Sequence, residues 1–403
     1  MRKIIVIFLL FFTVLISGCS GKSAYELALE NGFTGTVDDY LESLKGENSS
    51  ITIIDIFNSL VEKGVYNDDQ YLDFINDYIN NNLCDETIRN NSLNSCVSIK
   101  VTFGTFFINT YVGSGFVYKL DEDGTAYIIT NHHVLVNPNN SSEVSSNIKV
   151  YIYGYEYESY SYIATYIGSC SNNDVGVIKV QLDLNYKAKY VSEALIEENY
   201  YVGDNMYAIG NALGDGLTIT SGIVSVESEE IYTGYNVRVF RFDASVNGGN
   251  SGGAIFNKYG KVIGIVDAKY IDEEVDGIAY GIPITIAANI ANNIIENNSE
   301  PIFVNSNFTT KVYSSSSYFI NNKFCIKEVI VIDEISVIHN MYQEGLRSGD
   351  QLLSFEINNV EYDINRYYSL SDVLLGCSVG DVLKINTYRT TQSQYSTYSM
   401  ILE

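Results

Sequence analysis

The chain has 403 residues, of which 46% are hydrophobic and 13% aromatic, so it is long enough for two or three domains with sizeable cores. Its formal net charge is −25, because 49 acidic residues outnumber 24 basic ones. This acidity argues against nucleic acid as a partner, since phosphate binding needs clustered Lys and Arg, and against electrostatic docking on an anionic bilayer.

Residues 1–18 have the pattern of a targeting segment. Arg2 and Lys3 precede an apolar run over residues 4–16, which is shorter than the about 20 residues that a membrane-spanning helix needs. These features are typical of a signal peptide. The motif Ile16-Ser17-Gly18-Cys19 resembles a bacterial lipobox, which implies cleavage before Cys19, a lipid on its sulfur and anchoring on the extracytoplasmic face of the cell membrane. The alternative is an ordinary signal sequence with an incidental Cys.

Residues 19–85 have a helical pattern. A capping box over residues 23–26 predicts the start of a helix, and Gly46 marks a stop. Further on, Ile54, Phe57 and Val61 recur at the spacing of one helical face. The pattern carries no chemistry, so a packing role is expected for this region.

From about Cys96 to Ile282 the pattern changes to short strands. Runs of β-branched and aromatic residues alternate there with turns rich in Gly, Asn and Asp, as expected of a pair of β-barrels. Pro283 is well placed at a helix start, and the apolar residues that follow it share one helical face. This helix is expected to close the β domain.

One loop of the β region, Gly248-Gly249-Asn250-Ser251-Gly252-Gly253-Ala254, places a hydroxyl among glycines. Ser is a weak nucleophile and needs an adjacent base and an orienting carboxylate. Of three His residues, His132 and His133 follow an apolar run, and Asp174 precedes the β-branched run 175–180. Taken singly, these segments read as a turn, a structural His and a cap. Their order of His, Asp and Ser, however, is that of the chymotrypsin-like triad.

Several short motifs follow one another along this region. They are Gly113-Ser114-Gly115-Phe116, Thr130-Asn131-His132-His133-Val134, Asn173-Asp174-Val175-Gly176, Ala208-Ile209-Gly210-Asn211, Asp243-Ala244-Ser245-Val246-Asn247 and Gly277-Ile278-Ala279-Tyr280-Gly281-Ile282-Pro283. In these motifs and the serine loop, the chain resembles HtrA/Deg-type serine proteases. The resemblance implies a mostly β fold, with a chymotrypsin-like double β-barrel protease domain over residues 86–300.

The resemblance also assigns the catalytic roles. Ser251 is expected to attack the scissile carbonyl, His133 to take its proton and Asp174 to orient the imidazole. The family's catalytic His follows a Thr-Asn-x pattern and precedes Val, which selects His133 over His132.

The oxyanion hole is expected at Gly249, Asn250 and Ser251, where the amides of the first and last residues would bind the developing negative charge. The family commonly carries Arg or Pro before the oxyanion glycine, whereas this chain has Gly248. A looser loop is therefore expected.

The substrate pocket is expected to include Val246, Val266 and Asp267. Val246 lies five residues before the nucleophile, at a family position that lines the pocket, and predicts a preference for small or medium aliphatic side chains. The strand that contains Val266 and Asp267 is expected to form another wall, and the unusual acid leaves a partly polar pocket open.

The cysteines are read in the light of export, which would allow disulfides. Besides Cys19, the chain has five: Cys84, Cys96, Cys170, Cys325 and Cys377. An odd number leaves at least one unpaired in a monomer. Pairing of Cys84 with Cys96 and of Cys325 with Cys377 is one hypothesis. Because the sequence has no Cys-x-x-Cys motif and no His/Cys cluster, no metal site and no cofactor are predicted.

Residues 301–403 resemble a PDZ domain, which would be α+β. The segment Gly345 to Phe355 fits the family's Gly-Leu-x-x-Gly-Asp motif, and Val379 to Leu383 fits its late strand entry. Tyr318-Phe319-Ile320-Asn321 is the nearest candidate for the carboxylate-binding loop, although it lacks Gly. Such a groove would bind an extended peptide by strand addition.

Together these features predict a lipid-anchored, extracytoplasmic serine endopeptidase that cleaves unfolded or exposed protein segments in protein quality control. The resemblance also implies assembly as a homo-trimer, because the family often forms trimers, although no trimer determinant is recognised in this chain. Two alternatives stay open. One is a chaperone or surface-binding protein on the same fold, and the other is an exported protease of narrow specificity, of the glutamyl-endopeptidase or exfoliative-toxin kind.

Overall fold

The computed structural model describes residues 92–104, 108–152, 161–214, 216–232, 236–267, 277–320 and 323–403. The predicted signal peptide and the helical region 19–85, with Cys19 and Cys84, lie outside these residues. Across the described ranges, none of the helices combines the length and the apolar character that a membrane crossing requires.

The first barrel is built from the strands that follow Cys96. The strands of this part are β1 (Cys96–Phe103), β2 (Asn109–Leu120), β3 (Thr125–Thr130), β4 (Val136–Asn137), β5 (Asn140–Val144), β6 (Asn147–Ile152), β7 (Ser161–Cys170) and β8 (Val175–Gln181). The barrel closes in the order β1, β2, β3, β8, β7, β6, while β4 and β5 pair separately. Alternate residues such as Ile148, Val150 and Ile152 fill its interior. The short helix α1 (His132–Leu135) follows β3.

The second barrel has six further antiparallel strands. They are β9 (Asn205–Gly210), β10 (Thr218–Tyr232), β11 (Asn236–Phe242), β12 (Ala254–Asn257), β13 (Val262–Asp267) and β14 (Ala279–Pro283). They close in the order β10, β11, β14, β13, β12, β9. Helix α2 (Ile284–Asn297) follows directly and buries its apolar face.

One hydrophobic cluster joins the two barrels. Phe116 and Ile129 from the first barrel, Ile209 and Ile265 from the second, and Ile290 from α2 are all buried in it. Two closed six-stranded barrels on a shared core confirm the expected mostly β, chymotrypsin-like fold. The seam between them positions the site described below.

The C-terminal part has its own sheet and core. Its elements are β15 (Phe308–Ile320), β16 (Lys323–Ile335), α3 (Asn340–Glu344), β17 (Gln351–Ile357), β18 (Val360–Asp363), α4 (Ser369–Leu374), β19 (Val382–Arg389) and β20 (Gln394–Ile401). The sheet order is β15, β16, β17, β19, β20, with β18 beside β17. Phe355, Leu383 and Ile385 are fully buried between the sheet and its helices. This architecture is α+β, as expected.

The candidate carboxylate-binding segment of this domain lies at the end of a hairpin. Tyr318, Phe319 and Ile320 are the last residues of β15, and Phe319 pairs with Phe324 across the hairpin. Their side chains are exposed, Phe319 to 72%. Asn321 is outside the described residues.

The disulfide hypothesis is wrong where the structure describes the cysteines. Cys96, Cys325 and Cys377 are buried free thiols, as is Cys170. The Cys325 thiol contacts the carbonyl of Lys323, and the Cys377 thiol lies 3.4 Å from the carbonyl of Val373. Burial raises the pKa of the Cys96 and Cys170 thiols and that of Cys377 to about 11. These thiols behave as small apolar core side chains.

Candidate active site

His133 and Asp174 form a doubly bonded pair in the seam. The Nδ1 atom of His133 lies 2.5 Å from Oδ2 of Asp174, and the His133 backbone amide donates to Oδ1 at 2.9 Å. Asp174 is fully buried and the His133 side chain is 27% exposed. Because one carboxylate holds both the ring and the backbone of His133, the orientation of the imidazole is fixed.

The turn that carries Asp174 is itself held in place. Asp174 has φ of 52°, in the left-handed region that Asp and Asn tolerate best among residues with a Cβ. Asn131, at the N-cap of α1, donates its side-chain amide to the Asp174 carbonyl at 2.9 Å. The two segments that supply the pair therefore bond to each other through three contacts.

The serine loop is bonded to the first barrel through Ser114 of β2. The Ser114 amide donates to the Ser251 carbonyl at 2.8 Å, and its hydroxyl donates to the Gly249 carbonyl at 2.7 Å. Gly249 and Gly252 have φ of 97° and 82°, which few residues other than Gly adopt. Ser251 is 6% exposed. The loop is thus ordered by a neighbouring strand.

The loop also packs against the residues that precede His133. A Cβ placed on Gly252 would collide with the Thr130 hydroxyl and the Ser114 carbonyl and lie 3.0 Å from the Asn131 amide. Only glycine allows this approach. The chain segments of Ser251, His133 and Asp174 are therefore brought together at one point of the seam.

The predicted oxyanion residues differ in their bonding. The Asn250 amide donates to the Asn247 carbonyl at 3.0 Å, and the Gly253 amide donates to the Asn250 carbonyl at 2.9 Å. Asn250 thus closes the turn with its own backbone groups. The amides of Gly249 and Ser251 stay the proposed donors.

The other two histidines have different surroundings. His132 lies 2.8 Å from the Ser169 hydroxyl through Nδ1. His339 caps α3, where its Nδ1 accepts from the Met341 amide at 3.1 Å. Of the three, His133 is the one in contact with Asp174.

The predicted pocket residues are distributed differently. Val246 is half-buried against the core of the second barrel. Val266 is fully buried within that core, and its backbone pairs with Gly252 and Gly253. Asp267 is fully buried and lies beside the His133–Asp174 pair, since one ligand atom from each of the three residues lies within 4.8 Å of the others.

These three side chains are also close enough to offer a cation a ligand set. The Nδ1 atom of His133 is already bonded to Asp174, so a cation bound there through that nitrogen would have to break the pair.

The sequence did not reveal the role of Ser114, although its motif is one of those that carry the family resemblance. Its hydroxyl also accepts from the Asn211 amide at 2.7 Å, and the Asn211 side chain donates to Ser98 at 2.5 Å. Buried polar residues in two matching motifs were the available signal, but only the fold places them beside the loop.

Comparisons with known proteins indicate the type of domain that this part of the chain forms. Residues 113–265 match the model of the trypsin-like peptidase domain. The match and the double barrel both indicate a trypsin-like peptidase domain in this part of the chain.

Within that class, the relatives are of HtrA type. The chain is 27% identical over 323 residues to a serine protease HtrA-like protein of Staphylococcus haemolyticus (strain JCSC1435), covering 76% of this chain and 48% of the relative. A serine protease HtrA-like protein of Staphylococcus aureus (strain USA300) is 28% identical over 268 residues, covering 63% and 33%. The expected resemblance to HtrA/Deg-type serine proteases is confirmed. The chain spans a third to a half of the length of these relatives.

A solved structure agrees at the level of the fold. The HtrA-type protease AlgW with tripeptide has a TM-score of 0.52 and 21% sequence identity to this chain, covering 79% of this chain and 96% of that one.

Proposed function

We propose that this protein is a serine endopeptidase that hydrolyses peptide bonds through Ser251, His133 and Asp174. The observation that carries the proposal is the His133–Asp174 pair at 2.5 Å, together with a serine loop that is bonded to β2 and packs against Thr130 and Asn131. His133 and Asp174 correspond to the base and the orienting carboxylate that a serine nucleophile needs.

The proposed acylation step uses each of these groups once. Ser251 Oγ bonds to the scissile carbonyl carbon as its proton passes to Nε2 of His133, and Asp174 stabilises the resulting imidazolium. The amides of Gly249 and Ser251 bind the oxyanion. The C–N bond then breaks, the leaving amine takes the proton from His133, and water releases the acyl group by the same steps.

Denatured casein provides the direct test. Wild-type protein is expected to degrade it into many fragments, and Ser251→Ala to leave it intact. Casein that is equally stable with both proteins would overturn the proposal in favour of a non-proteolytic binding protein. Cleavage at a single type of site would instead support the narrow-specificity protease.

The rate of cleavage is expected to depend on pH through His133. The base must be neutral to accept the serine proton, so activity falls as pH drops through the imidazole pKa, near 6.5 for an ordinary His. A rate that stayed flat down to pH 4 would contradict the role of His133.

We further propose export and lipid anchoring through Cys19, with unfolded or exposed protein segments as substrates in protein quality control. The support is the lipobox-like motif that ends at Cys19. Metabolic fatty-acid labelling is expected for the wild type and absent for Cys19→Ala. Equal labelling of the two would overturn the anchor and leave the catalytic proposal intact.

For residues 301–403, we propose a PDZ-like role in binding extended peptides. Strand β15 is the outer strand of its sheet, beside β16, and an outer strand can accept a peptide as an added strand. Titration of the wild type and of Ser316→Pro with peptides that end in apolar residues tests this role. Binding that survives the proline on β15 would exclude that edge.

A further inference from the structure

Asp267 adds a second buried carboxylate to the catalytic pair. Donor atoms of His133, Asp174 and Asp267 lie within 4.8 Å of one another, and neither carboxylate residue has any exposed surface. A Ser-His-Asp triad uses one carboxylate, here that of Asp174. The carboxylate of Asp267 therefore has no role in the triad itself.

Strand β13 places Asp267 beside the His133–Asp174 pair, because it is bonded to the serine loop and because its side chains alternate between two faces. The Val266 amide donates to the Gly253 carbonyl at 2.8 Å, and the Gly252 amide donates to the Val266 carbonyl at 3.1 Å, so the end of β13 runs along the serine loop. Alternate residues of a strand share a face. Ile265 lies in the core between the barrels, and Asp267 shares its face.

Electrostatics then couples Asp267 to His133. A buried carboxylate is costly unless a partner compensates its charge, and two neighbouring carboxylates repel each other. The imidazolium form of His133 would relieve both penalties, because opposite charges within 4 to 6 Å stabilise each other. Groups this close titrate together rather than singly.

We propose that Asp267 is a positioning residue of the catalytic site, which with Asp174 stabilises the imidazolium formed on His133 when Ser251 gives up its proton. This inference rests on the proposed function. The proton moves from Ser251 Oγ to His133 Nε2 while the bond from Oγ to the carbonyl carbon forms. Asp267 supplies negative charge and exchanges no proton in this step.

The same charge acts on the resting enzyme. It stabilises protonated His133 there as well, so the acid limb of the activity profile lies at higher pH than one carboxylate would set. Asp267 thus makes His133 a stronger base, and as a consequence the activity is lost at a higher pH as the solution is acidified.

Other titratable groups surround this cluster among the described residues. Cys170, at the end of β7, has a raised thiol pKa, mainly through burial and in part through Asp174. His132 bonds to Ser169, whose amide donates to Glu300 at 2.7 Å. Tyr280 of β14 pairs with Asp267, and on β11 its neighbour Arg241 pairs with Glu229 at 3.7 Å. Asp267→Asn leaves all of these in place.

The test is the pH dependence of inactivation by a fluorophosphonate probe, which requires a neutral His133 and no known substrate. Asp267→Asn keeps the side-chain size and removes the charge. Its midpoint is expected about one pH unit below that of the wild type, with a slower rate at high pH. Asp363→Asn, at the exposed end of β18, removes the same charge far from the site and is expected to keep the wild-type midpoint.

Asp267→Ser is a second variant that removes the charge with a shorter polar side chain, and thermal unfolding identifies which variants are folded. A lowered midpoint in the folded variants supports the role of Asp267, and an unchanged midpoint in any of them overturns it. If the wild type fails to react at any pH, the proposed function itself fails. A wild type that reacts beside unchanged variants removes only the inference about Asp267.

Discussion

At the scale of single residues, Asp174 is the proposed orienting group for His133. The carboxylate bonds to both the ring and the backbone of His133, so Asp174→Asn should keep the geometry while favouring the wrong imidazole tautomer. We expect the turnover number to fall by about 10⁴-fold. Steady-state proteolysis measures the loss, with Asp121→Asn, a half-exposed partner of Lys119, as the control. A loss below tenfold would contradict the orienting role.

Substitution of two glycines of the serine loop is expected to have opposite effects on stability. Gly252 has φ of 82° and no space for a Cβ, whereas Gly248 has nothing within 4 Å of that position. Gly252→Ala should therefore lower both the free energy of unfolding and the rate of probe labelling. Gly248→Ala should raise the free energy of unfolding by about 0.4 to 1 kcal/mol, by restricting the unfolded chain. Equal effects in thermal unfolding would show that the loop is not held as described.

The sequence motifs pointed to His133 and Asp174, which the structure brings into contact, but not to the side chains around them. The choice of His133 over His132 came from a motif, and the contact with Asp174 agrees with it. The burial of Asp267 was not predicted, because the strand was assigned to a pocket wall without choosing a face for this side chain. The alternation that places Asp267 on the same face as the apolar Ile265 was the signal in the sequence.

At the scale of elements, β2 of the first barrel orders a loop of the second. The Ser114 hydroxyl donates to Gly249 and accepts from Asn211, both at 2.7 Å. Ser114→Ala would remove both hydrogen bonds, and a buried group that is left without a partner costs about 1 to 3 kcal/mol. We expect a lower melting temperature and a lower turnover number.

The control for this prediction is Ser317→Ala on β15, where the serine is exposed. It should change neither quantity. If Ser114→Ala retained the wild-type turnover number, β2 would not order the oxyanion loop.

Strand and helix types were predictable from local pattern, and barrel closure from the family resemblance. Whether the cysteines form disulfides could not be predicted from local pattern, because the fold determines which cysteines lie close together. Cys325 lies on a hairpin strand and Cys377 after α4, each bonded to a backbone carbonyl of its own segment.

At the scale of the whole molecule, a buried ion pair joins the second barrel to the C-terminal domain. Arg238 of β11 bonds to Asp372 of α4, and its guanidinium lies 3.9 Å from the ring centre of Tyr368. Nearby, Arg366 pairs with Glu227 at 2.5 Å. No local pattern in the sequence indicated this contact, because its members are 134 positions apart.

Breaking this pair on one side should be costly. Asp372→Ala leaves the Arg238 charge buried without its carboxylate, so we expect the free energy of unfolding to fall by about 3 to 5 kcal/mol. The double variant Arg238→Met with Asp372→Leu should regain much of that loss, because no charge then stays buried. Denaturant unfolding measures both. A double variant as unstable as Asp372→Ala would show that packing, and not the orphaned charge, sets the cost.

The proposed nucleophile is Ser251, activated by His133. Labelling with a fluorophosphonate probe, followed by mass spectrometry of the peptides, tests this role, because the reaction needs the nucleophile, the base and the oxyanion donors together. We expect one adduct, on Ser251, that is lost in both Ser251→Ala and His133→Ala. No adduct in the wild type at pH 8, or an adduct that persists in Ser251→Ala, would contradict it.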